Sequence, residues 1–415
     1  MGEFIYSLNA NLWFAIHAVR RFTHTGYAIH DGKAVNSLYR NRAISFLRNI
    51  FACLLTNKRK LCIIYRKDFR GVFAFGNGGK FIYGLPIFDR GHMSKANIGK
   101  KVYFNSEQQI EKLKRDGLTI PDETHAKRRL KWEGYYNFAV GYNRLFKEKN
   151  KRYRKGVTFA HIEALFDFDK RLREIVYEAT QQVECNIKAM LSDVFSKYYG
   201  VDERLYLQEK NFTPDPKEAQ NVRWIIGTCK SALTASCKAG AACYRDYVAY
   251  YAKTYKHVPF WALIRTLTFG NTSKFLRLLK PADGQEIARE YAVSYDELCN
   301  LMEIAVCFRN IAAHGERTYC AHLPTVRLTQ GLPVLPKLQL PKRQDGTPMY
   351  GNNDCMALFV ALKYLLPAAA FNDYFSRLRL EIENLEKALP SFAFHRALHE
   401  MGLQGSWKKL DIMGK

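Results

Sequence analysis

The feature that most constrains the fold is one long helical pattern over residues 159–197. Thr158 precedes it as an N-cap. Along it Phe166, Leu172, Ile175, Val176, Ala179, Val183 and Ile187 recur at helical spacing and form a stripe that must be buried. Such a helix needs partners along its length. Further helical patterns cover 106–116, 122–146, 216–235, 244–255, 260–279, 283–291, 294–314, 354–366 and 371–387. The stretch 324–350 carries five prolines and reads as a loop, or as a short hairpin pairing 326–328 with 338–340. The expectation is an all-α bundle with a Pro-rich loop or hairpin insertion.

The helix over 294–314 carries the chemistry. Leu298, Leu301, Met302, Ala305, Phe308, Ile311 and Ala312 define its apolar side, and Gly315 follows as a C′ residue. At its end stand Arg309, Asn310 and His314. A fixed cation for a phosphate and an imidazole for protons are what metal-independent RNA cleavage requires. The spacing is weak by itself: with 30 Arg and 11 His in the chain, chance supplies about one such pair. Arg317 and His322 form a second pair, lying beyond the Gly315 break and lacking an Asn partner; it reads as a decoy. Asn310 lies four residues before His314, on the same helical side. Arg309 lies about 140° from His314 on an ideal wheel, so joining them takes a long reach or a second helix across a symmetry axis. Without a resemblance, an Arg and a His capping a helix end explain the pair equally well.

The net charge of +25 and sequence pI of about 9.6 suit a phosphate-bearing partner. With 25 Tyr and 27 Phe, basic side chains alternate with rings able to stack on unpaired bases, although most such rings belong to a core. Lys170, Arg171, Arg173 and Lys188 lie off the stripe of the long helix, as a solvated face or part of an RNA groove, and Arg144 and Arg317 are further candidate RNA contacts. Asp167 and Asp169 sit two apart on different helix faces, poor geometry for a metal pair, and read as helix-start charges with salt-bridge partners. Glu184 is a candidate support for Arg309, with ordinary structural pairing as the equal alternative. Ten Cys without a CxxC pair read as reduced cytoplasmic thiols. No metal or cofactor is expected, and no apolar run reaches membrane-spanning length.

Residues 1–92 hold 14 Lys or Arg against four acids. Phe75-Gly76-Asn77-Gly78-Gly79-Lys80 suggests a phosphate loop, but Ala74 and Phe81 occupy positions where that motif needs Gly and Ser or Thr, so it reads as a turn. No periodic pattern there promises a packed domain. Met93 stands just before the first strong block, so 1–92 is either translated upstream sequence with the start at Met93 or a basic arm. The helical domain is expected over 93–415.

Ordered blocks across residues 103–412 resemble the Abi-like (AbiD/AbiF) abortive-infection family, of the HEPN superfamily of helical RNA-cleaving or RNA-binding domains. They are Phe-Asn-Ser-Glu-Gln-Gln-Ile at 104–110, Gly134-Tyr135-Tyr136 to Gly141-Tyr142, Phe166-Asp167-Phe168-Asp169-Lys170-Arg171-Leu172-Arg173, Pro259-Phe260-Trp261 to Phe269-Gly270, Leu301 to His314, and Met401-Gly402 to Trp407. Thr268 stands where the pattern usually has Ser, and the segment after His314 is looser. The resemblance implies a HEPN-like bundle acting as a metal-independent endoribonuclease in phage defence. His314 would act as general base or acid, Arg309 would stabilise the phosphorane, and Asn310 would orient either group. It also implies a homodimer, pairing two such helix ends. The alternative is a non-catalytic binder of a cognate noncoding RNA, since such an RNA accompanies the AbiF branch.

Overall fold

The computed structural model describes residues 103–414, which lie in one unit, Val102–Lys415. The expectations for residues 1–92, including the turn at Gly79, lie outside the described residues. The fold is all-α: fourteen α-helices, with isolated β-bridges but no longer strand among the described residues.

The spine is α3 (Phe159–Tyr199), preceded by α1 (Ser106–Arg115) and α2 (Glu123–Glu133). At 41 residues α3 is about 60 Å long. The Thr158 N–H donates to His161 Nδ1 at 3.1 Å, and Gly200, at φ +76°, ends the helix. All seven residues of the expected stripe are buried, and the stripe runs on through Leu191, Val194 and Phe195. Against it pack α7 (Phe260–Leu263), α8 (Phe269–Arg277), α9 (Pro281–Glu290), α10 (Tyr295–Ala313), α12 (Cys355–Leu365) and α13 (Ala368–Ala388). Every residue of α12 is buried, Lys363 included, and all but that lysine and Tyr364 are apolar, so the helix lies at the centre of the bundle, touching α3, α10 and α13. Around Phe195 the rings of Tyr199, Tyr206, Phe212, Phe260 and Phe275 lie at centroid distances of 4.7 to 6.3 Å. Most of the large aromatics therefore serve the core.

Several boundaries differ from expectation. The helix expected over 122–146 ends at Glu133, because Gly134 adopts φ +80°. The chain then forms a π-helix (Tyr136–Val140) and a 3-10 turn (Arg144–Phe146). The segment 260–279 is likewise interrupted: α7 passes into a 3-10 turn, and Thr268 restarts α8 by accepting the Asn271 N–H at 3.2 Å. Ser and Thr both serve as N-caps, which explains why Thr is tolerated at this position. The expected pairing of 326–328 with 338–340 does not form: the Leu328 N–H goes to the Asn352 carbonyl and a short helix α11 (Val334–Lys337) occupies the middle, while a tight antiparallel turn pairs Lys342 with Pro348 instead. Leu328, Leu332, Val334 and Leu338 anchor the loop in the core.

α14 (Ser391–Glu400), which the sequence patterns did not reveal, leads into Met401 and Gly402. Gly402 has φ +71°, and a Cβ there would overlap the Asp354 carboxylate. That carboxylate caps α12 through the N–H groups of Met356 and Ala357 and also accepts from Gly351. Gly402→Ala is therefore expected to cost about 2–4 kcal/mol from left-handed strain and overpacking together; equilibrium urea unfolding within 0.5 kcal/mol of wild type, on the order of a neutral surface change, would refute the close approach.

All eight described cysteines are free thiols. Burial pushes Cys229 and Cys299 up to about 12 and raises Cys355 well above the ordinary thiol range. Iodoacetamide at neutral pH should thus label exposed Cys185 and Cys243 and spare Cys229, Cys299 and Cys355 until the protein is unfolded, as peptide mass mapping will show. Among the described residues no helix is long and apolar enough to cross a membrane.

Candidate functional site

α10 begins with a capping box: the Ser294 N–H donates to Glu297 Oε2 at 2.8 Å, and the Glu297 N–H donates back to Ser294 Oγ at 3.3 Å. It ends in a Schellman motif. The N–H of Glu316 reaches the Ile311 carbonyl at 3.1 Å, the N–H of Gly315 reaches Ala312 at 3.1 Å, and Gly315 takes φ +69°. His314 is the C-cap, exposed on the last turn beside exposed Asn310.

Arg309 is half-buried. Its guanidinium lies 5.5 Å from the centre of the Phe269 ring at the start of α8, and its Nε is buried without a hydrogen-bond acceptor. No carboxylate of the described residues pairs with it. Glu184, the candidate support, instead accepts from Lys188 at 2.7 Å one turn along α3, and Lys188 also donates to the Leu267 carbonyl at 2.7 Å. The expectation that Glu184 holds Arg309 is corrected: Lys188 is the shorter reach, an i,i+4 partner on the same helix.

The segment after His314 is fixed by a residue whose role the sequence did not disclose. Asp169 is fully buried in α3. Its carboxylate accepts from Tyr142 Oη at 2.6 Å, from Arg173 at 2.7 Å, from the Thr318 N–H at 3.1 Å and from the Tyr319 N–H at 2.8 Å. Burial pushes the Asp169 carboxyl above the ordinary aspartate range, against the pull of Tyr142, Arg173 and the two amides. Tyr319 stacks on Tyr142 at 5.8 Å, and Arg317 donates to the Gly141 carbonyl at 2.8 Å. Blocks far apart in sequence, Gly141-Tyr142, Asp169 to Arg173 and Thr318-Tyr319, thus form one hydrogen-bonded joint beneath the end of α10. The neighbouring Asp167 is a salt-bridge partner as expected, on Arg129.

Most of the candidate RNA contacts are already engaged. Arg173 serves the Asp169 joint, Arg171 donates to Glu381 at 2.5 Å, Arg144 pairs with Glu400, and Lys188 is bound as above. Arg317 holds a backbone carbonyl, and His322 Nδ1 lies 3.1 Å from the Cys320 carbonyl. The structure brings Arg309, Asn310 and His314 to one helix end. It places Arg144, Arg171, Arg173, Lys188 and Glu184 in ion pairs around and along α3.

An all-α bundle on one long helix, with a basic and imidazole-bearing helix end, defines the class. Residues 128–320 match the family model of Abi-like proteins. The matched span holds the blocks from Gly134 to His314; those at 104–110 and 401–407 lie outside it. No curated protein and no solved structure matches the chain.

Proposed function

We propose that this protein is an abortive-infection effector that cleaves RNA without a metal, with the end of α10 as its active site. The match to the Abi-like family model points to the defence role. The observation that carries the chemical reading is Arg309, a cation with no carboxylate partner among the described residues, braced on Phe269. It lies five residues before an exposed imidazole on a helix end that Gly315 closes. An arginine left without an acid is set up to receive an external anion, and its planar fork suits a phosphate. In this reading the ribose 2′-OH attacks the adjacent phosphorus, the bond from phosphorus to the 5′-oxygen breaks to leave a 2′,3′-cyclic phosphate, and His314 moves a proton from the attacking or to the leaving oxygen. Arg309 stabilises the phosphorane, and Asn310, four residues before His314, orients the phosphate or the ring. Arg309 sits on the inner side of the helix and His314 on the outer, which supports a homodimer in which two helix ends share one cytoplasmic cleft.

The same separation of Arg309 and His314 is the observation that favours a second reading, a non-catalytic binder of a cognate noncoding RNA. Incubation of labelled RNA in excess EDTA with wild type and with His314→Ala decides between them. Cleavage that survives chelation and vanishes in the variant is the expected result; tight binding with no cleavage by either protein assigns the binder.

A further inference from the structure

Cations without acidic partners gather away from α3. α5 (Ala219–Cys237) and α6 (Asp246–Tyr255) pack against each other and against α7. Lys253 and Lys256 are exposed there and make no ion pair among the described residues; Arg265 lies 5.8 Å over the Tyr247 ring and Lys274 4.4 Å over Trp224. Beside these lysines stand rings in the open: Tyr250, Tyr255 and Trp261 are each between 43% and 56% exposed. Tyr250, Tyr251 and Tyr255 lie with centroids about 6 Å apart, and Trp261 Nε1 donates to Tyr251 Oη at 3.4 Å. The platform is held from beneath by a small core of its own, Val248, Val258 and Ala262.

We infer that this α5–α7 face is the single-stranded RNA platform of the protein, with unpaired bases stacking on Tyr250, Tyr255 and Trp261 and the phosphates meeting Lys253 and Lys256. This rests on the RNA reading above but assigns a separate site. Exposed rings interleaved with unpaired cations are what sequence-tolerant recognition of a flexible strand needs, because every base has a π-face. Charge complementarity argues for a polyanion over an apolar partner: Lys253, Lys256 and Arg265 form no ion pair among the described residues, although Arg223 of α5 pairs with Glu209. The platform also leads to the candidate active site. Trp261 and Phe269, the ring under Arg309, are eight residues apart in sequence, at most about 28 Å if fully extended, and the intervening helical turns shorten that. A strand bound on the platform would therefore lie within a few nucleotides' reach of α10.

The test measures binding of a fluorescein-labelled oligouridine 12-mer by anisotropy, and quenching of tryptophan fluorescence, with the full chain. Tyr250→Ala/Tyr255→Ala/Trp261→Ala is expected to weaken binding about 30-fold or more, each stacking ring being worth on the order of tenfold, with an unchanged melting curve; Tyr250→Phe/Tyr255→Phe retains binding. Lys253→Glu/Lys256→Glu should make the log–log salt slope shallower by about 0.7 for each phosphate that is no longer neutralised. Arg309→Ala, which tests cleavage, should leave 12-mer affinity within about twofold, since its partner is the transition state. Affinity of the triple alanine variant equal to wild type, or equal binding of a 12-base-pair RNA duplex, overturns the platform. Absence of cleavage by the wild-type protein, with binding intact, overturns only the nuclease reading.

Discussion

His314→Ala should lower RNA cleavage by about two to four orders of magnitude while leaving the melting temperature unchanged, since removing a general acid or base typically costs that much. The residue is an exposed C-cap, so its removal takes nothing from the core. Arg309→Ala should cost a comparable factor, about 10²–10³, through weaker charge stabilisation. It also removes packing against Phe269, so Arg309→Lys is the informative companion: it keeps the charge but not the planar fork. Single-turnover cleavage of an end-labelled RNA in EDTA reads both variants. Full activity in His314→Ala would remove the helix end from the chemistry. His322→Ala, whose ring faces the Cys320 carbonyl, should retain activity; equal losses at His314 and His322 would reverse the choice between the two pairs.

Asp169→Ala should destabilise the fold by about 3–5 kcal/mol, the range for removing one partner of a buried ion pair. It strands Arg173, leaves Tyr142 Oη without its acceptor, and orphans the buried N–H groups of Thr318 and Tyr319. For a domain of this size the melting temperature should fall by on the order of 10 °C. Because the joint fixes the chain just after His314, cleavage should fall further than stability alone explains when assayed well below the melting transition. Asp169→Asn keeps one acceptor and should do less harm. A near-neutral Asp169→Ala would mean that water replaces the carboxylate and that the joint is not what positions the loop. Charge reversal at Arg173 belongs with these core variants and should unfold the protein rather than report on an RNA groove.

Local signals sufficed wherever a helix is specified by its own residues. The stripe of α3, the Thr158 cap and the Gly315 stop were all legible, because periodicity, capping chemistry and left-handed glycine act within a few residues. The same local logic misled where a glycine or threonine interrupts a helical pattern, at Gly134 and Thr268. The sequence also placed Arg309, Asn310 and His314 on one helix end, since their spacing is intrinsic to α10. Pairing was decided only by the tertiary structure. Which acid meets which base depends on side chains separated by more than a hundred residues: Arg171 with Glu381, Arg144 with Glu400, and Asp169 with the amides of Thr318 and Tyr319. A charge off the apolar stripe reads alike in sequence whether it faces water or a buried partner. Only packing distinguishes the neutralised cations of α3 from the unpaired ones on the α5–α7 face, because Coulomb and hydrogen-bond energies depend on distances in space rather than along the chain.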